Sequence, residues 1–346
     1  MDAATAKALQ AAVEAIRKKG NLPGLSVAVV FADGSEWSGQ TGVGVLAPKA
    51  PLTADTLFSV GSITKTFTGA LALRLAERGV IGLDDPLSKY LPDYPNGAKI
   101  TLRELLDHTS GIADIFDPGP YKSIGVNRSA TWTAEKTLAL IGKPYFAPGA
   151  GYHYSTTNYV ILGQVLEAAT GQTMAAMVRS EFLTPLRLSH TYLQWEESPE
   201  GTLAHGYLGP VGSPKDVSTG QSMLPFVSVA TASGAGGGIA STASDLAAWG
   251  AALYGGELLD AASMAAMTDF SATARFKPHL PYGLALEKLT IGGHVAFGHR
   301  GHLDGFWSTL AYFPDTKITV ALLTNADWPD PLRAMAIVYA ALPAAP

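Results

Sequence analysis

Val60-Gly61-Ser62-Ile63-Thr64-Lys65-Thr66-Phe67 sets a hydroxyl and an amine three residues apart. On a helix that begins at Ser62, this spacing puts both groups on one face. The N-terminal end of such a helix carries positive potential, which favours a developing alkoxide. Serine is a weak nucleophile until a neighbour takes its proton, and a lysine partly stripped of water can take it. A chain with this many serines and lysines contains about one Ser-x-x-Lys by composition, so a capping serine with a surface lysine is the plainer reading. The flanks weigh against it. Phe58, Val60, Phe67, Leu71 and Leu73 are all apolar, so Lys65 is expected to face inward.

Outward from this stretch the chain divides by periodicity. Leu9, Val13 and Ile16 recur at helical spacing, with Lys18-Lys19-Gly20 as a cationic last turn and stop. Leu25–Phe31 and Glu36–Gly44, joined at Asp33-Gly34, read as a β-hairpin. Residues 62–270 are mainly helical in pattern. Capping boxes are expected at Thr101/Glu104 and Thr242/Asp245, and a helix over about 157–169 stopped by Gly171. Strand patterns return in Tyr282–Leu289, Phe306–Phe313 and Ile318–Thr324, before a last helix from Pro331 to about Leu342. The expected fold is α+β, with an antiparallel sheet flanked by the N- and C-terminal helices and a mainly helical lobe inserted into it. One lobe would comprise residues 1–60 and 275–346, the other 61–274, with the active site in the cleft between them. The glycine-rich loops Gly206–Gly220 and Ser233–Gly238 are candidates to edge that cleft.

Composition narrows the function. The 346 residues are 47% hydrophobic and 15% charged, which excludes a disordered chain. A net charge of −5 argues against nucleic acid as a partner, since phosphate binding draws on Lys and Arg. No apolar run approaches the ~18 residues of a membrane span. Cysteine is absent, which excludes thiolate metal sites and Cys nucleophiles. It also fits an oxidising compartment, periplasmic or secreted, if a signal peptide preceded Met1; a cytoplasmic protein is the alternative. The oligomeric state is left open.

Two further clusters could carry chemistry. Tyr152-His153-Tyr154-Ser155-Thr156-Thr157-Asn158 follows a turn at Pro148-Gly149 and reads either as a helix entrance or as the seat of an acid/base tyrosine. A phenol must fall ~3 units from its usual value near 10 to act as a base at neutral pH. A lysine ammonium ~4 Å away supplies about that much at an effective dielectric near 20. Gly298-His299-Arg300-Gly301-His302 lies between two strands. His299 and His302 are an odd number of residues apart on a strand and so face opposite ways, which speaks against a metal site. There is no Gly-x-Ser-x-Gly elbow, P-loop or dinucleotide fingerprint.

Taken in order, Ser62-x-x-Lys65, Tyr154-Ser155-Thr156 and His299-Arg300-Gly301 resemble the penicillin-recognising serine hydrolases. That group spans class C β-lactamases, Streptomyces-type D-alanyl-D-alanine carboxypeptidases and β-lactamase-like esterases. The likeness extends over Leu105–Ile112, Pro148–Gly163, Gly236–Leu246 and Gly298 to the end. It implies an acyl-enzyme on Ser62, activated by Lys65, with Tyr154 as general base and proton donor and His299 lining the cleft beside it. It also implies an oxyanion hole from the backbone N–H groups of Ser62 and His302, and no cofactor or metal. Thr156 stands where most members have Asn, and Arg300 where Thr or Ser is usual. Thr156, Arg300 and Gly301 are the expected substrate contacts, with Arg300 either gripping a substrate carboxylate or pairing with Asp304. The expected substrates are peptides or amides of D-amino acids. The alternatives are a short-chain esterase and a non-catalytic penicillin- or peptide-binding sensor.

Overall fold

The computed structural model describes residues 1–209, 211–218, 227–279, 281–328 and 330–343. The chain opens with helix α1 (Ala3–Gly20), capped by Asp2, whose carboxylate accepts from the Thr5 N–H. Gly20 is the last helical residue, and Asn21 takes the left-handed stop position expected of the glycine, at φ 47°. Strands β1 (Gly24–Val30) and β2 (Glu36–Val45) form the expected hairpin, with Gly24 opposite Gly42 and Val30 opposite Glu36.

The sheet is built from the two ends of the chain. β3 (Ala50–Pro51), β4 (Glu287–Ile291), β5 (His294–Leu303), β6 (Phe306–Phe313) and β7 (Ile318–Thr324) complete seven antiparallel strands in the order β3-β2-β1-β7-β6-β5-β4. β1 lies against β7, with Leu25 opposite Thr324. One sheet face is covered by α1 and the last helix, Pro331–Ala340, through Leu9, Val13, Ile16, Met335 and Val338. Ala28, Leu310, Ala321 and Leu323 on the other face join the core of the helical lobe.

The run expected to be a strand from Tyr282 becomes one only at Glu287. Residues 282–286 turn into the helical lobe instead, with the Ala285 N–H donating to the Leu106 carbonyl and Ala285 at φ 66°. The detour buries the Tyr282 ring. Thr101 and Glu104 form the expected capping box. Thr242 caps its helix, Ala243–Tyr254, but Asp245 does not reach back to it; its carboxylate accepts from the His190 N–H and the Thr191 hydroxyl. The expected loop Gly206–Gly220 lies partly outside the described residues, at 210, 219 and 220. No helix among the described residues is long and apolar enough to cross a membrane.

Inside the helical lobe a small sheet pairs Phe58–Ser59 with Ile239–Ser241, which in turn pairs with Tyr192–Leu193. This sheet positions the site. It fixes the segment just before Ser62 against the segment just after Gly236, and the Val60 N–H donates to the Ile239 carbonyl at 3.1 Å.

Candidate active site

Ser62 sits in a tight turn, Gly61–Ile63, that runs directly into helix α2 (Thr64–Glu77). Lys65, on the first turn of α2, is fully buried, as the apolar flanks require. Its Nζ lies 3.0 Å from Ser62 Oγ, 3.3 Å from Thr156 Oγ1 and 2.6 Å from the Gly236 carbonyl oxygen. Loss of water pulls the Lys65 amine from its usual 10.5 down to about 7, against the opposing pull of Asp114 and Glu287. Gly236 can approach because it has no side chain: a Cβ there would come within 2.7 Å of Thr156 Cγ2. Its role escapes a reading by motif, since the pairing that brings it to Lys65 spans 171 residues.

Tyr154 precedes helix α3 (Thr156–Thr170), which ends at Gly171 in the left-handed region at φ 70°. Burial drives the pKa of the Tyr154 phenol well above 10, against a smaller lowering by the nearby Ser62 hydroxyl. This reverses the expected depression. Lys65 Nζ lies over the Tyr154 ring, 4.8 Å from its centroid, and the lysine itself loses its charge near neutral pH. His108 packs on the other rings here, 4.3 Å from Tyr154 and 4.6 Å from Tyr282 between centroids. Its Nδ1 accepts from the Ser155 N–H at 3.2 Å.

His299 is buried behind the cleft instead of lining it. The Arg300 carbonyl can only accept, so Nδ1 of His299 carries the proton and Nε2 accepts from the Tyr282 hydroxyl at 2.8 Å. Burial lowers its pKa to about 4, and both ring nitrogens are occupied. Its ring lies 6.1 Å from that of Tyr154 between centroids, and the Tyr282 ring meets Tyr154 edge-on at 5.9 Å. His294 packs against Tyr339 and His302 against Trp307, so His294, His299 and His302 do not converge.

Arg300 does not pair with Asp304. Its guanidinium grips Glu287 with two bonds, 2.9 and 2.7 Å, and its backbone N–H donates to the same carboxylate at 3.1 Å. Arg300 is not among the residues that line the cleft at Ser62. Gly301 is a close-packing position: a Cβ there would lie 1.9 Å from the Val60 carbonyl oxygen, so a side chain would push β5 off the serine turn. The same docking sets the His302 backbone N 2.7 Å from where a Gly61 Cβ would be, and His302 lines the cleft beside Ser62.

Asp114 has no local motif and was not foreseen. It lines the cleft with Ser62 and Tyr154, and its Oδ1 accepts from the Thr156 N–H at 2.9 Å. Burial raises its pKa while Lys65 opposes the rise.

The Beta-lactamase family matches residues 9–345. The chain belongs to the Beta-lactamase family. Among its relatives is penicillin-binding protein 4 of Amycolatopsis lactamdurans, 29% identical over 90% of this chain and 83% of that protein. A β-lactamase of Escherichia coli is 26% identical over 90% and 86%. A D-stereospecific amidohydrolase from Streptomyces sp. superposes with a TM-score of 0.79 at 32% identity, covering 98% of this chain and 97% of that one. The D-amino acid amidase of Ochrobactrum anthropi does so at 0.85 and 25% identity, covering 97% and 98%. This family member is a serine hydrolase with the expected sheet, helical lobe and Ser62–Lys65 pair.

Proposed function

We propose that this β-lactamase-family hydrolase cleaves amides of D-amino acids through an acyl-enzyme on Ser62. The observation that carries the chemistry is the dry Lys65 amine 3.0 Å from Ser62 Oγ, with its pKa near 7. A neutral amine has two N–H donors and one lone pair. The Gly236 carbonyl and Thr156 hydroxyl take the donors, which leaves the lone pair for the Ser62 proton.

As that proton moves to Lys65, Ser62 Oγ bonds to the amide carbon. The backbone N–H groups of Ser62 and His302 hold the oxyanion, a contribution of roughly 3–4 kcal/mol per donor in comparable sites. The C–N bond then breaks. The proton on Lys65 reaches the leaving nitrogen through the Tyr154 phenol, so neither residue keeps a charge. Water repeats the sequence on the acyl-enzyme and releases the acid, with Ser62 regaining its proton from Lys65. The phenol held protonated by burial suits a donor better than a base.

The substrate class is supported by the amidase likeness and by charge. The cleft presents the Asp114 carboxylate, while the Arg300 guanidinium is held by Glu287. That arrangement favours a substrate with a free ammonium group over one with a free carboxylate. Phe116 and Leu303 add an apolar wall for its side chain. Ammonia release from D- and L-phenylalanine amide, run beside a nitrophenyl ester, tests the reading. Turnover of the D-amide well above the L-amide supports it. Ester cleavage without amide cleavage would make the enzyme an esterase.

A further inference from the structure

Tyr121 and Asp304 meet in the lining of the cleft. Tyr121 comes from the helix Pro118–Gly125 of the helical lobe, Asp304 from the turn between β5 and β6. The phenol donates to Asp304 Oδ2 over 183 residues of sequence, and both residues line the same cavity as Ser62 and Tyr154. We infer that this hydrogen bond is a fixed clasp that limits substrate length, admitting single-residue amides and excluding chains that extend further. The inference rests on the amidase reading above.

Three features make the clasp rigid. The β5–β6 turn is pinned from outside: Gly305, at φ 84°, packs so closely on residues 206–207 that a Cβ would lie 2.6 Å from the Tyr207 N. Leu303, just before the clasp, is buried in one apolar cluster with Ile115 and Ile124 from the opposite wall. The Tyr121 ring also rests on Phe116, with centroids 5.6 Å apart. An opening would have to break the Asp304 bond and unpack that cluster together. The cavity volume is about 410 Å³, near the small end of the ~300–1,000 Å³ that ligand sites span.

The test compares kcat/KM for D-alanine amide and for a D-alanyl tripeptide with the scissile bond after the first residue. The parent is expected to favour the amide, and Tyr121→Ala and Asp304→Ala to raise the peptide-to-amide ratio roughly tenfold or more. Tyr121→Phe keeps the ring and deletes only the bond, and is expected to raise the ratio less; thermal melts show that each variant is folded. An unchanged ratio in folded variants, or a parent that cleaves both substrates equally, overturns the clasp and leaves the amidase reading standing. A parent inactive on both overturns the amidase reading, and the clasp's role falls with it.

Discussion

Lys65 Nζ donates to the Gly236 carbonyl oxygen at 2.6 Å. A carbonyl can only accept, so this contact fixes one N–H of the amine and turns the rest of it toward Thr156 and Ser62. The small sheet that carries residues 239–241 thereby orients the base.

The rate should follow the charge on Lys65. kcat/KM is expected to rise with pH through an apparent pKa near 7 and to hold above it, because only the neutral amine accepts the serine proton. Lys65→Arg should cost about 10²–10⁴-fold, since a guanidinium stays charged. The same shift has a stability consequence. Between about 7 and 10.5 the unfolded chain keeps the Lys65 proton and the folded chain does not, so this group makes stability rise with pH across that window. Urea melts at pH 7 and 9 on the parent and on Lys65→Met isolate its share.

Tyr154→Phe should lower the rate about 10²–10⁴-fold while the limb near pH 7 stays in place. The phenol is protonated throughout this range, so removing it deletes a donor and leaves the titrating amine. Disappearance of the limb in a pH–rate profile would assign it to Tyr154.

Thr156→Val replaces the hydroxyl 3.3 Å from Lys65 Nζ with a methyl group of like size. One such bond contributes ~1 kcal/mol, about a fivefold loss in kcat. KM for a small amide should change less than kcat, because the hydroxyl is hydrogen-bonded to the base.

Arg300→Ala strands the buried Glu287 carboxylate. Removing one partner of a buried pair costs ~3–5 kcal/mol, and the partial exposure of Arg300 puts this case near the lower figure. Denaturant melts should show that loss. kcat/KM for a carboxylate-terminated dipeptide and for its amide should fall by the same factor. A selective loss on the acid would restore Arg300 as a substrate clamp.

What the sequence disclosed was local. The Ser62–Lys65 spacing, the capping Thr101 and the hairpin at Asp33-Gly34 are written within a few residues, and each folds as read. The sheet built from both termini was legible because strand patterns occupy only the two ends. Long-range partners were not. Arg300 lies nearest in sequence to Asp304, but Glu287 enters from β4 through the β4–β5 register, and Tyr121 takes Asp304 from the other lobe. Tyr154 was expected to lose its proton because only the lysine could be foreseen. The rings of His108 and Tyr282, folded in from distant segments, dry the phenol and raise its pKa. The detour of residues 282–286 has the same origin: Tyr282 leaves the sheet pattern to meet His299.

The central claim is that Ser62 is acylated with Lys65 as its base. Intact mass after treatment with an aminoalkyl phosphonate ester, followed by peptide mapping, tests it most directly. The account predicts one adduct per chain, on Ser62, absent from a folded Ser62→Ala variant and slowed as pH falls below 7. An adduct on Ser110 or Ser155, or one that persists in Ser62→Ala, would contradict it.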